Sequence, residues 1–564
     1  MSADPTPTQQ MIEVAVRRYL TRLSRRFVPF ALPLLVLILV VALVPAVQQA
    51  KGSQAATGSS VAASPTDLPS AIASGAAGAT PGSVGGGAAQ GGGLGQPGLT
   101  ASGQHCAPGV RQVPWSGYSA MCVPSFHGNN GGATSYGVTP TTITVSFRIS
   151  DSGEAGAVAA ASPGLNTAAQ TQYFNDLQTY AGFFNKQFEL YGRHVVLKQF
   201  TGQGDWVREY QSQDLAGAQA DADTARGMGA FADISSSDVS TTPPYAQYLA
   251  DDHVLSVGGV AASESFFNSY APYVYTAGGN VSNFGQWASG LVCQRMGGLP
   301  AIFSGDATSQ IKTRVFGLVY PTNPDFQTVG NAIKANLQAC GYPVAKEYQY
   351  ALDISTMAAE SQSAMAQMNQ AGVTTVICGC DTVVPTFLGR GADAQQYHPE
   401  WLFTGGADSL AQGYSQTQWN HAMAPQGTYP PNQQSEAYHV YKLASGGQEP
   451  NGQFYPAAYQ AAILFFDALQ AAGPSLSPSS FANGFFSLPA SVPGGFLGPW
   501  SFGRGHYTSL SGAPEGWYNP SAISGQNGAA GAFVSCAGSD GQAHPWAPYS
   551  GYGPARTQLH CFGK

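Results

Sequence analysis

Apolar residues recur along this chain with two alternating periods. Between Thr142 and Ile149 (TITVSFRI) every second residue is apolar, a period of two that predicts a strand. From Tyr173 to Leu190 the apolar residues Tyr173, Phe174, Leu177, Tyr180, Phe184 and Phe188 share one face of a helix. The same reading predicts strands over 195–200, 254–258, 315–320, 346–350, 374–377 and 401–404. It predicts helices over 216–231, 284–296, 326–339 and 357–370. Strands that alternate with helices of this length form βαβ units around parallel sheets, so the fold class is α/β. There are too many units for one sheet of usual size, which predicts two lobes.

The segment before this pattern has a different character. Phe27 to Val47 (FVPFALPLLVLILVVALVPAV) carries no charge, and a helix of that length spans roughly 30 Å of hydrocarbon. Pro29, Pro33 and Pro45 stand toward its ends. Arg17, Arg18, Arg22, Arg25 and Arg26 precede it, which places the N-terminus in the cytoplasm and the rest outside. A cleaved signal peptide is the competing reading. The apolar run is longer than a signal peptide's usual core, and its small-residue cleavage sites are poor, so the anchor is preferred. Residues 48–104 are mostly Gly, Ala, Ser, Thr and Pro. They bury too little apolar area to offset chain entropy and read as a flexible tether. The expected organisation is a basic tail over 1–26, a transmembrane helix over 27–47, a linker over 48–104 and a Cys-containing extension over 105–135. A two-lobed domain over 136–535 and a second Cys-containing extension over 536–564 complete it.

All 8 cysteines follow the apolar run, and an even number in an exported chain suggests disulfides. Neighbours in sequence suggest Cys106–Cys122, Cys293–Cys340 and Cys536–Cys561. Cys378 and Cys380 stand two apart, and a bridge between same-face strand positions is strained, which favours free thiols. No His or further Cys follows them at ligand spacing, so no metal site is expected. Only 10% of residues are charged and the net charge is −8. An acidic chain without basic blocks argues against nucleic-acid binding, and the low charge hints at an acidic or otherwise unusual exterior. Metalloprotease, nucleophile-elbow and phosphate-loop motifs are all lacking, so neither catalysis nor a cofactor is expected.

Several stretches resemble the type I periplasmic solute-binding proteins, the branched-chain amino-acid receptor family of ABC transporters. YGVTPTTITV from Tyr136 is similar to the family's Gly-Val-Thr turn into its first strand. VFGLVYPTNPDFQTVGNAIKANLQACG, QMNQAGVTTVICG and EWLFTGG follow in the family's order. NGQFYPAAYQAAILFFDALQAAG resembles its helix after the return crossover, and FLGPWSFGRGHYT its closing strand. The resemblance spans roughly residues 136–535. It implies two Rossmann-like parallel sheets joined by three crossovers, closing on a ligand like a hinge. One lobe would hold about 137–286 and 425–490, the other about 287–424 and 491–535. The stretch Thr201–Leu215 and both Cys-flanked ends depart from the pattern.

The same resemblance marks candidate ligand residues at the ends of strands, where helix N-termini face the crevice. Ser235, Ser236 and Ser237 match the loop that receives an α-carboxylate, although serine is also a favoured helix cap. Ala261, Ala262 and Ser263 match the next crevice loop. Asp408 matches the loop whose acid meets the ligand's ammonium, and Asp381 is a second such acid. Tyr320, Asn323 and Asp325 lie in a further loop. Trp206 and Phe454 would be apolar walls or core. The expected function is a membrane-anchored extracytoplasmic receptor that captures a small polar ligand, an amino acid or a related amide or organic acid. It would deliver this ligand to an ABC permease in the same membrane. The alternative is a non-transport ligand sensor or cell-envelope interaction module of the same fold.

Overall fold

The computed structural model describes residues 94–150, 166–235, 240–276, 278–381, 383–404, 413–425, 433, 435–450, 454–488, 502–508, 515–523, 530–536 and 561. The Phe27–Val47 run and the N-terminal tail lie outside them. Among the described residues no helix is long and apolar enough to cross a membrane.

The described chain opens with a small antiparallel pair, β1 (Gly98–Leu99) and β2 (His105–Cys106), tied by the Cys106–Cys122 disulfide. The folded region therefore begins before residue 105, inside the stretch expected to be linker. A two-residue strand has no room for a periodic pattern, so composition carries no signal of it.

The first lobe follows. It contains β3 (Thr142–Ile149), α1 (Thr167–Gln187), β4 (His194–Thr201), α2 (Trp206–Tyr210), α3 (Leu215–Gly227), β5 (Ala232–Asp233), α4 (Pro243–Asp251), β6 (Leu255–Ser256) and α5 (Glu264–Ser269). Its four parallel strands lie in the order β4-β3-β5-β6. On β3 the apolar residues Ile143, Val145, Phe147 and Ile149 enter the main core with the apolar face of α1. The alternate residues Ser146 and Arg148 turn to the opposite face. Asn166 caps α1 by accepting from the Ala169 N–H, and Thr242 caps α4 ahead of a proline at the first helical turn.

The chain then crosses to the second lobe. It comprises α6 (Val281–Leu291), α7 (Ala307–Gln310), β7 (Phe316–Pro321), α8 (Pro324–Ala339), β8 (Lys346–Tyr350), α9 (Ile354–Gln370), β9 (Thr375–Cys378), α10 (Val384–Asp393), β10 (Glu400–Phe403) and β11 (Ala422–Pro425). The expected helix over 284–296 ends as α6 and continues as a π-helical turn, Val292–Met296. A return to the first lobe carries α11 (Glu436–Ala444), α12 (Tyr455–Ala472) and α13 (Pro478–Ser487). Helix α12 is apolar nearly all round and is correspondingly buried on most of its circumference. Strands β12 (Glu515–Ile523) and β13 (Ala530–Ser535) then add an antiparallel edge to the second sheet, ordered β13-β12-β11-β10-β9-β7-β8.

Two expectations need correction. Residues 502–508, taken as part of the second lobe, pack on the first: Phe502 joins its core and Thr508 bridges Thr276. Aromatic packing on Tyr275 and Phe485 decides this, because the segment forms no extended strand. Cys378 and Cys380 are bonded to each other. Strand β9 ends at Cys378 and the chain curls beyond it. The two Cα atoms come within 5.0 Å, inside the range a disulfide accepts. The other three bridges join the expected neighbours.

Candidate functional site

The loops that follow the strands of one sheet meet the loops that follow the strands of the other. Beyond β6, Ser263 donates its hydroxyl to Asp325, which sits in the first turn of α8 beyond β7. The Ser263 N–H reaches the same carboxylate oxygen at 3.4 Å. Asn323 caps α8 by accepting from the Asp325 N–H, and its amide donates to the Tyr210 carbonyl on α2 at 3.0 Å. The two lobes are thus joined directly, by side chains singled out as candidate ligand contacts.

The remaining candidates fall into three groups. Ser235 is fully buried, and its hydroxyl oxygen accepts from the Arg148 N–H at 2.7 Å, splicing the end of β5 to β3. Gly258 lies against this turn, where a Cβ would stand 1.7 Å from the Ser235 carbonyl oxygen. Ala262 is buried beside it and accepts from the Val281 N–H, whereas Ala261 is half-buried. Asp381 is half-buried in the second lobe, accepting from the Tyr350 hydroxyl and from the Val383 and Val384 N–H groups at 2.7 and 3.1 Å. Burial raises its carboxyl above the ordinary range, and these donors offset part of that rise.

Tyr320 points elsewhere. Its ring lies against Gly330 of α8, and its hydroxyl donates to Glu347 and accepts from Gln349. Trp206 is buried in the apolar cluster of the second lobe, and Phe454 packs on the main core. Ser236, Ser237 and Asp408 lie outside the described residues.

Sequence reasoning passed over the charge cluster at the foot of α2. Arg148 is fully buried and makes a fork to Glu209, at 2.9 and 3.0 Å, with a further bond of 3.0 Å to Asp221. Its Nε donates to the Ser240 carbonyl, and its guanidinium lies 4.0 Å from the centre of the Tyr245 ring. Burial opposes the Arg148 charge, but Glu209 and then Tyr245 and Asp221 outweigh it and raise its pKa above the ordinary value. Thr242 donates to the same Glu209 carboxylate. Nearby, burial raises the Asp233 carboxyl, although Ser146, Ser235 and Tyr245 all donate to it. One signal could have found this cluster: Arg148 is the single charge in an otherwise neutral strand.

The family model described as "Periplasmic binding protein" matches residues 207–509. The chain belongs to that family. An ABC transporter substrate-binding protein from Aeropyrum pernix shares the fold at 13% identity, covering 73% of this chain and 97% of that one, with a TM-score of 0.50. The leucine-, isoleucine-, valine-, threonine- and alanine-binding protein of Brucella ovis aligns at 16% identity over 69% of this chain and 93% of that one, at a TM-score of 0.46. A fatty acid ABC transporter substrate-binding protein from Thermomonospora curvata aligns at 14% identity over 71% and 93%, at 0.49. No curated protein sequence matches. As a periplasmic binding protein, the chain has the coarse role of binding a solute. The stretch that carries α2 begins just before the matched region.

Proposed function

We propose that this periplasmic binding protein captures a small polar solute between its lobes and delivers it to an ABC permease. The proposed ligand class is an amino acid, a related amide or a small organic acid. In this reading the Phe27–Val47 run anchors the protein in the membrane, and the Gly-, Ala- and Ser-rich tether lets the receptor domain reach its permease.

One observation carries the reading. Ser263 of one lobe, on the loop beyond β6, and Asp325 of the other, in the first turn of α8, meet across the lobe boundary. A hydroxyl and a carboxylate there suit a ligand that carries hydrogen-bond donors, such as an ammonium or amide group. Such a ligand would insert between them and exchange their mutual bond for two of its own.

A thermal-shift screen tests this. The chain from residue 94 onward, with its cysteines oxidised, is challenged with amino acids, amides, short peptides and organic acids. A shift that follows one chemical class, and is lost in Asp325→Ala, is expected. Folded, solute-free protein that responds to no compound would refute the reading.

A further inference from the structure

Helix α2 lies at the edge of the region that the family model matches, and it touches both lobes. Its first turn is capped by Asp205, which accepts from the Val207 and Arg208 N–H groups. The loop ahead of it is pinned to the first lobe. Gln203 and Gly204 donate their N–H groups to Asp221, and Ser150 donates to the Gly204 carbonyl.

Glu209 is the deepest of these ties. Its carboxylate is fully buried, forked by Arg148 and bonded by Thr242. Removing it would strand the Arg148 charge with Asp221 alone.

The opposite side of α2 faces the second lobe. Trp206 and Val207 are 5% and 6% exposed and belong to the apolar cluster of Val319, Tyr350, Met357 and Val384, with Tyr210 packed beside them. The Tyr210 carbonyl accepts from Asn323. Among the described residues the Trp206 indole N–H has no hydrogen-bond partner. This contact is held by apolar burial and by the Asn323–Tyr210 hydrogen bond. The attachment to the first lobe is held by a buried ion pair with several donors.

Apolar contacts can part and re-form without stranding a charge, whereas the Arg148–Glu209 pair cannot. When the lobes separate, α2 stays on the first lobe and Trp206 leaves the second.

We propose that α2 is a built-in latch: anchored to the first lobe through Glu209, it plugs the second through Trp206 and Val207 and holds the lobes together without ligand. A protein latched in this way is accessible to solute only in a minor open population, so its association rate scales with that population.

The test needs no ligand. Full-length protein is freed of small molecules by unfolding in guanidinium with its disulfides intact, then refolded. Amide hydrogen exchange is followed in the wild type and in Trp206→Ala, Trp206→Phe and Asn323→Ala.

In the wild type, the segments 261–266 and 319–326, which join loop to strand and helix ends at the lobe boundary, are expected to be protected. Trp206→Ala should accelerate exchange in both segments, on both lobes, while β3 and β9 keep their protection. Asn323→Ala should do so to a smaller extent, and Trp206→Phe should restore most of the protection.

Three results would overturn the latch. One is exchange in the wild-type segments at the rate of exposed amides. Another is acceleration confined to α2. The third is acceleration spread evenly through the core of the second lobe, the signature of a residue that only stabilises that lobe.

Discussion

Asp176 lies on α1 with no exposed surface, packed among Tyr180, Tyr441 and Tyr455. Burial raises its carboxyl from the usual carboxylate range to about 7, and hydrogen bonds from Gln172 and Tyr441 offset only part of that effect. The folded state therefore holds this proton more tightly than the unfolded chain does. The stabilisation is fully present below about pH 4, the unfolded value, and is lost as the pH rises through about 7. With about 1.4 kcal/mol per pH unit, a shift of roughly three units amounts to about 4 kcal/mol across that interval. Burial also raises Asp467, Asp233, Asp381 and Glu189, so their contributions run in the same direction. Asp393 and Glu347 are lowered by hydrogen-bond donors and run the opposite way, but each is partly exposed and weighs less. Urea denaturation at intervals from pH 8 to pH 5 should show unfolding free energy increasing as the pH falls. Asp176→Asn, which keeps the shape and removes the charge, should be more stable than wild type at pH 8 by up to about 4 kcal/mol, with the difference shrinking toward pH 5. Stability that falls between pH 8 and pH 5, or an Asp176→Asn difference independent of pH, would refute this account of the buried carboxylates.

Two further substitutions probe the framework around the site. Glu209→Ala leaves Arg148 buried with one carboxylate in place of two, and should cost about 3–5 kcal/mol in urea denaturation. A cost near zero would mean that the pair is not desolvated as the structure shows. Gly258→Ala sets a methyl group against the Ser235 carbonyl oxygen. It should displace the turn that splices β5 to β3 and lower the melting temperature, whereas Gly227→Ala, where a Cβ meets nothing within 4 Å, should not.

Much of the fold was legible because burial imposes its periods on the chain. The strands over 142–149 and 346–350 agree with the structure residue for residue, since each sits between clear turn signals. Helix α4 was passed over, although Thr242 and Pro243 form an ordinary helix start, because its nine residues carry too short an apolar stripe. Of the candidate residues, Ser263, Asn323 and Asp325 do meet at the lobe boundary. Strand alternation turns Tyr320 toward α8 while Val319 faces the other way.

By itself the sequence determined the α/β class, which is written in local spacing, and the family, which is written in an ordered set of short matches. Only the tertiary structure decided what α2 does. Glu209 and Arg148 stand far apart in the chain, and nothing local signals that one will neutralise the other. The same holds for Trp206, an ordinary buried aromatic by its neighbours in sequence. It belongs to the core of the other lobe because the loop that carries it is pinned at the boundary between the two. Contacts of that kind depend on where whole layers come to rest, and that placement follows from the packing of all of them together.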